Sequence, residues 1–128
     1  MNLCDLNTIK ALLQRHGFRF SKSMGQNFLI DESVPYDIAE SSGAGEENGV
    51  LEIGPGIGSL TSQLCQRAGK VVSVELDNTL LPILAETMAE YDNFTLVKPV
   101  KSSDNVKHGG FTTSTFTRYK NKPLIGKG

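Results

Sequence analysis

Three glycines and two glutamates carry the chemistry that spacing alone assigns to this sequence. The pattern Glu52-x-Gly54-x-Gly56-x-Gly58 lies between a short apolar run, Val50-Leu-Glu-Ile53, and a segment that begins at Ser59 with helical periodicity. A glycine turn in that place lets the main chain come close to a ligand, and the start of the following helix presents unpaired N–H groups. Glu75 stands 21 residues after Gly54, at the end of the β-branched run Lys70-Val-Val-Ser-Val-Glu75. In nucleotide-binding βαβ units a carboxylate roughly 20 residues beyond the first glycine accepts hydrogen bonds from ribose hydroxyls. The glycines depart by one residue from the dinucleotide fingerprint G-x-G-x-x-G, which counts against a nicotinamide enzyme. A glycine triplet alone makes no more than a tight turn. A strand before it, a helix after it and an acid at the right distance favour a ligand cradle. Glu52 has a plainer alternative, a strand carboxylate that faces the linker preceding it.

Other chemistries find little support. Cys4 and Cys65 are the only cysteines and form no C-x-x-C pair, so neither a zinc site nor a disulfide framework is expected. His16 and His108 lie far from both in sequence, and no metal is expected. The N-terminus, Met-Asn-Leu-Cys-Asp, lacks a basic region followed by an apolar one, so a cytoplasmic location is expected. No apolar run reaches the ~18 residues of a membrane span.

The elements that must position these residues alternate. Leu6, Ile9, Leu12 and Leu13 share one helical face; Asp5 or Asn7 could cap that helix and Gly17 could end it. The stretch from Phe18 to Ile30 fits neither period and reads as a loop. Asp31 is a candidate cap for a second helix to about Ser42, with Val34, Ile38 and Ala39 inward and Pro35 in its first turn. Ser41 to Gly49 reads as a linker. Val50–Ile53, Lys70–Glu75 and Phe94–Val97 read as strands. Between them, Ser59–Ala68 reads as a helix with Leu60, Leu64 and Cys65 on one side. Another, capped by Asn78, runs to about Tyr91 with Leu80, Leu81, Leu84 and Met88 inward. Strand–helix–strand–helix–strand implies an α/β fold with a parallel sheet and right-handed crossovers.

The net charge of −1 over 128 residues conceals a step. Residues 1–97 carry 6 Lys and Arg against 13 Asp and Glu, whereas residues 98–128 carry 7 against the single acid Asp104. We therefore divide the chain into 1–97 and a divergent basic tail, 98–128, expected to be disordered; only Thr112–Tyr119 looks weakly strand-like.

With these residues in view, Val50-Leu-Glu-Ile-Gly-Pro-Gly-Ile-Gly-Ser-Leu-Thr61 resembles the first motif of S-adenosylmethionine-dependent methyltransferases. Phe20-Ser-Lys-Ser-Met-Gly-Gln-Asn-Phe-Leu-Ile-Asp31 resembles the preceding segment of the small-subunit ribosomal RNA adenine dimethyltransferases, and Val74-Glu-Leu-Asp77 their second motif. The resemblance runs from about residue 6 to residue 97. It implies the N-terminal part of a Rossmann-like methyltransferase fold, with two helices before the parallel sheet and an irregular tail after it. It implies S-adenosylmethionine as cofactor and ribosomal RNA of the small subunit as partner, with methyl transfer to N6 of two adjacent adenosines. It implies that Asn27 and Leu29 contact the methionine and ribose part of the cofactor. Gly54 would lie against the methionine, with Gly56 beside it, and Glu75 would hold the ribose hydroxyls. No catalytic acid or base is assigned, because the sulfonium is already an electrophile and the protein supplies position.

The family carries an acid after the third strand, where Val100 stands here, and an Asn-Leu-Pro-Tyr motif that this sequence does not contain. The expectation is therefore a truncated product with a foreign or frameshifted tail, inactive alone. The competing reading is a non-catalytic RNA- or nucleotide-binding module, in which the glycine loop and the basic residues of the tail, interleaved with Phe111, Phe116 and Tyr119, grip nucleic acid.

Overall fold

A computed structural model describes residues 1–19 and 31–99, together with the backbone of residue 100 and of residues 115–118. The first helix, α1, spans Leu6–Arg15 and buries Ile9, Leu12 and Leu13. Asp5, the first of the two candidate caps, accepts hydrogen bonds from the Thr8 N–H at 2.9 Å and the Thr8 hydroxyl at 2.7 Å. Gly17 follows at φ 82°, left-handed backbone that suits glycine after a helix end. The second helix, α2, spans Ser33–Ser41, and Asp31 leads into it by accepting from the Ser33 N–H at 2.9 Å. Its buried stripe is Pro35 and Ala39, four residues apart and one above the other. Ile38, expected inward, is 46% exposed because it lies to the side of that stripe.

The strands β1 (Gly49–Ile53), β2 (Lys70–Val74) and β3 (Phe94–Val100) are joined through α3 (Ser59–Cys65), a 3-10 turn (Asn78–Leu80) and α4 (Leu81–Thr87). β1 pairs with β2 and β2 with β3, both in parallel; Ile53 stands opposite Val74, and Val74 opposite Val97. A fourth strand, β4 (Thr115–Arg118), runs antiparallel to β3 and makes the sheet order β1-β2-β3-β4. The parallel sheet and its alternating helices are those the sequence implies. β3 nevertheless continues past residue 97, and β4 falls inside the weakly strand-like stretch, so a shared ladder crosses the composition step.

Both later helices end sooner than their periodicity suggests. α3 stops at Cys65, and the α4 segment is a 3-10 turn followed by seven helical residues. Asp77 caps that turn, accepting from the Thr79 N–H at 2.9 Å, where Asn78 was the expected cap. Pro82, which has no N–H to donate, sits within the first turn of α4, where none is required.

Val71, Phe94 and Leu96 on one face of the sheet join Leu64, Ile83, Leu84 and Met88 in the core. Each such side chain, fully buried, contributes about 1.5–3 kcal/mol. The other face is less covered at its β1 end, where Leu51 is 67% and Ile53 72% exposed. Across the helical layer, Arg67 of the α3–β2 connection stacks 4.7 Å from the Tyr36 ring and bonds Glu40, tying α2 to α3. Arg15 and His16 both bond Glu86, tying α1 to α4.

Candidate cofactor-binding site

Parallel pairing carries Gly54 and Glu75 to the same end of adjacent strands. Each follows directly on one of the opposed residues Ile53 and Val74. The Gly54 N–H donates to the Val74 carbonyl at 2.9 Å, which fastens the glycine turn to β2 beside Glu75. The Glu75 N–H donates in turn to the Val97 carbonyl at 3.1 Å, so the acid is seated between β1 and β3.

The three glycines have positive φ, 74° at Gly54, 62° at Gly56 and 104° at Gly58, but they do different things. A methyl group built on Gly54 or Gly56 meets nothing within 4 Å among the described residues. These two positions face open space, the opening that a ligand approaching the main chain needs. A methyl on Gly58 falls 2.7 Å from the Met88 Cε and 3.1 Å from the Thr87 Oγ1. Gly58 is therefore the point at which the turn presses on α4. Thr87 reinforces the contact by donating its hydroxyl to the Ile57 carbonyl at 2.9 Å.

Glu75 is 7% exposed. Its Oε2 accepts from the Asp77 N–H at 2.9 Å, and among the described residues its Oε1 has no hydrogen-bond partner. A largely buried carboxylate with an oxygen in reserve fits the acceptor that a ribose diol requires. The neighbouring Asp77 is committed elsewhere: hydrogen bonds from the Thr79 hydroxyl and N–H hold its carboxyl below the usual range.

Glu52 does not face the linker. Its Oε1 accepts from the Thr61 hydroxyl at 2.6 Å and from the Ser73 hydroxyl at 2.8 Å, both residues being fully buried. Burial pushes the nearby Cys65 thiol up to about 12, and the Glu52 charge adds to the effect. Sequence reasoning assigned Thr61 and Ser73 no part. The alternation Val71, Ser73, Glu75 along β2 placed Ser73 on the face of Glu75, and that was the available signal.

Gly54 and Glu75 thus lie at the same end of β1 and β2, with Gly56 two residues further along the turn. Asn27 and Leu29 lie outside the described residues, as does the side chain of Val100. A separate cavity of about 340 Å³ between the N-terminus and the helices α2 and α3, lined by Asn2, Glu32, Pro35, Ser62 and Tyr91 among others, contains none of these residues. Among the described residues no three His, Cys, Asp or Glu side chains cluster to hold a metal ion, and no helix is long and apolar enough to cross a membrane.

Residues 17–100 match the family model for ribosomal RNA adenine dimethylase. The chain is 51% identical over 88 residues to the ribosomal RNA small subunit methyltransferase A of Staphylococcus haemolyticus, covering 69% of this chain and 30% of that protein. It is 52% identical over 99 residues to the protein of the same name in Bacillus mycoides, covering 77% and 34%. The chain thus spans about a third of the length of the curated relatives it matches. Among solved structures, the 23S rRNA methyltransferase ErmE superposes with a TM-score of 0.53 at 39% identity, over 56% of this chain and 29% of that one. The N-terminal domain of EvdMO1 with SAH bound gives 0.50 at 20% identity, over 72% and 44%, a likeness of fold alone.

Proposed function

This chain belongs to the ribosomal RNA adenine dimethylase family, and on that premise we propose that it forms the cofactor-binding part of an enzyme that methylates N6 of adenosines in small-subunit ribosomal RNA. The observation that carries the reading is the open face of Gly54 and Gly56 beside the reserve oxygen of Glu75. S-adenosylmethionine, when bound, supplies an electrophilic methyl group that needs no protein nucleophile. The work left to the chain is to hold and orient. Gly54 and Gly56 admit the methionine end against the main chain, and Glu75 fixes the ribose end through its hydroxyls. Asn27 and Leu29, by the family resemblance, contact the methionine and ribose part of the cofactor. Orientation of this kind is worth much of a methyl-transfer barrier, because it replaces a bimolecular encounter with a positioned one. The setting is the cytoplasm, where ribosomal subunits are assembled.

Isothermal calorimetry with S-adenosylmethionine, S-adenosylhomocysteine and NAD tests the reading. The expected result is heat of binding from the first two and none from NAD. Absence of binding by both sulfur compounds would overturn it.

A further inference from the structure

Glu52 stands two residues before the glycine turn, and the proposed function gives it no task. The turn begins two residues after it and ends three residues before Thr61, the side chain whose hydroxyl it binds. The Glu52–Thr61 hydrogen bond therefore closes a loop around the whole of Gly54–Gly58. The Ser73 hydroxyl bonds the same carboxylate oxygen from the neighbouring strand. One atom, Glu52 Oε1, thus joins β1, the first turn of α3 and β2 beneath the glycine turn. Thr61 and Ser73 are wholly shielded from water, so loss of their common acceptor leaves two hydroxyls without solvent to replace it.

We propose that Glu52 is a positioning residue: acting through Thr61 and Ser73, its carboxylate sets the shape of the Gly54–Gly58 turn and thereby the affinity for S-adenosylmethionine. The affinity part of this rests on the cofactor reading above; the hold on the turn does not. The role asks for an acceptor, not for a charge, and that separates it from a contact with the positively charged sulfonium. Glutamine keeps an acceptor oxygen at the same reach, whereas leucine keeps the volume and removes the acceptor.

The full chain and its Glu52→Gln, Glu52→Leu and Val71→Ala variants are compared in two measurements. Val71 is buried in the same sheet at the far end of β2 and serves as the control for general destabilisation. In calorimetry with S-adenosylhomocysteine, Glu52→Leu is expected to weaken binding about tenfold. Glu52→Gln should stay within about threefold of the parent and Val71→Ala close to it. In amide hydrogen exchange without ligand, the Gly54 N–H, which donates to the Val74 carbonyl of β2, and the Gly58 N–H, which donates to the Pro55 carbonyl within the turn, should exchange about tenfold faster in Glu52→Leu than in Val71→Ala. If Glu52→Leu does not fold, Thr61→Val, which deletes one donor at nearly constant shape, carries both comparisons. Equal affinity in all variants, or equal losses from Gln and Leu, overturns the proposal. So does exchange at Gly54 and Gly58 that rises no more than that of the α1 amides. If the parent chain binds no ligand, the cofactor reading falls, and the exchange measurement alone decides whether Glu52 holds the turn.

Discussion

Substituting alanine at Gly58 and at Gly56 separates the two uses of glycine in the turn. Both positions have left-handed backbone, which costs a residue with a Cβ about 1–2 kcal/mol. At Gly56 the account ends there, since the new methyl meets nothing within 4 Å among the described residues. At Gly58 the methyl lands 2.7 Å from Met88 Cε, 3.1 Å from Thr87 Oγ1 and 3.5 Å from Leu84 Cδ2. Met88 is 1% and Leu84 0% exposed, so the Met88 terminal methyl, the flexible end of that side chain, has to shift within the core. Overpacking of this kind adds about 1–3 kcal/mol, for a total of about 2–5 kcal/mol at Gly58. The difference between the variants is then about 1–3 kcal/mol, or about 1 M in the urea midpoint for a small domain. Urea unfolding followed by far-UV circular dichroism measures it. Coincident midpoints, or a larger loss from Gly56→Ala, would refute the assignment of Gly58 to packing and of Gly56 to an open ligand face.

Glu75→Ala should lower affinity for S-adenosylhomocysteine by about 1.5–3 kcal/mol, the worth of hydrogen bonds to a charged acceptor; unchanged affinity by calorimetry removes Glu75 from the site. Glu86 is held below its ordinary carboxylate range by hydrogen bonds from Arg15 and His16. Its contribution to stability is therefore full above the unfolded value of 4.5 and is lost as the pH falls through the lower folded value. Glu86→Gln should flatten that acid limb in urea titrations across pH, and an unaltered limb counts against the pairing. Cys65, buried and pushed up to about 12, should resist a thiol reagent at pH ~8 until the chain unfolds. Cys4, only partly buried, should react slowly in the native protein, so release of both equivalents at once would contradict the burial of Cys65.

The convergence of Gly54 and Glu75 was legible because it depends on topology. Once two β-branched runs flank a helix, parallel pairing brings their ends together whatever the side chains around them. The division of labour among the glycines was not legible, since Gly58 differs from Gly56 only in what α4 places opposite it. The hydroxyls of Thr61 and Ser73 escaped notice because apolar periodicity says nothing of a polar group that finds its partner inside. Ile38 was misplaced because a nine-residue helix with Pro35 facing inward presents a narrower buried stripe than its composition suggests. A weak local pattern marked the stretch that holds β4, but its antiparallel partner β3 lies 15–21 residues away, beyond what a local pattern can name.

The order of the sheet bears on how the chain is made. Each strand lies beside its successor, and opposed residues are 21 apart between β1 and β2 and 23 apart between β2 and β3. At a synthesis rate of about 5–20 residues per second, each strand leaves the ribosome about 1–5 s after the neighbour it will join. Parallel pairing closes a loop before it is rewarded and is slow among folding events, roughly milliseconds to seconds. β1 can therefore acquire β2, and the glycine turn its bond to the Val74 carbonyl, within the interval before β3 is complete. The end of the sheet that carries Gly54 and Glu75 is then assembled from strands that follow one another directly in the chain.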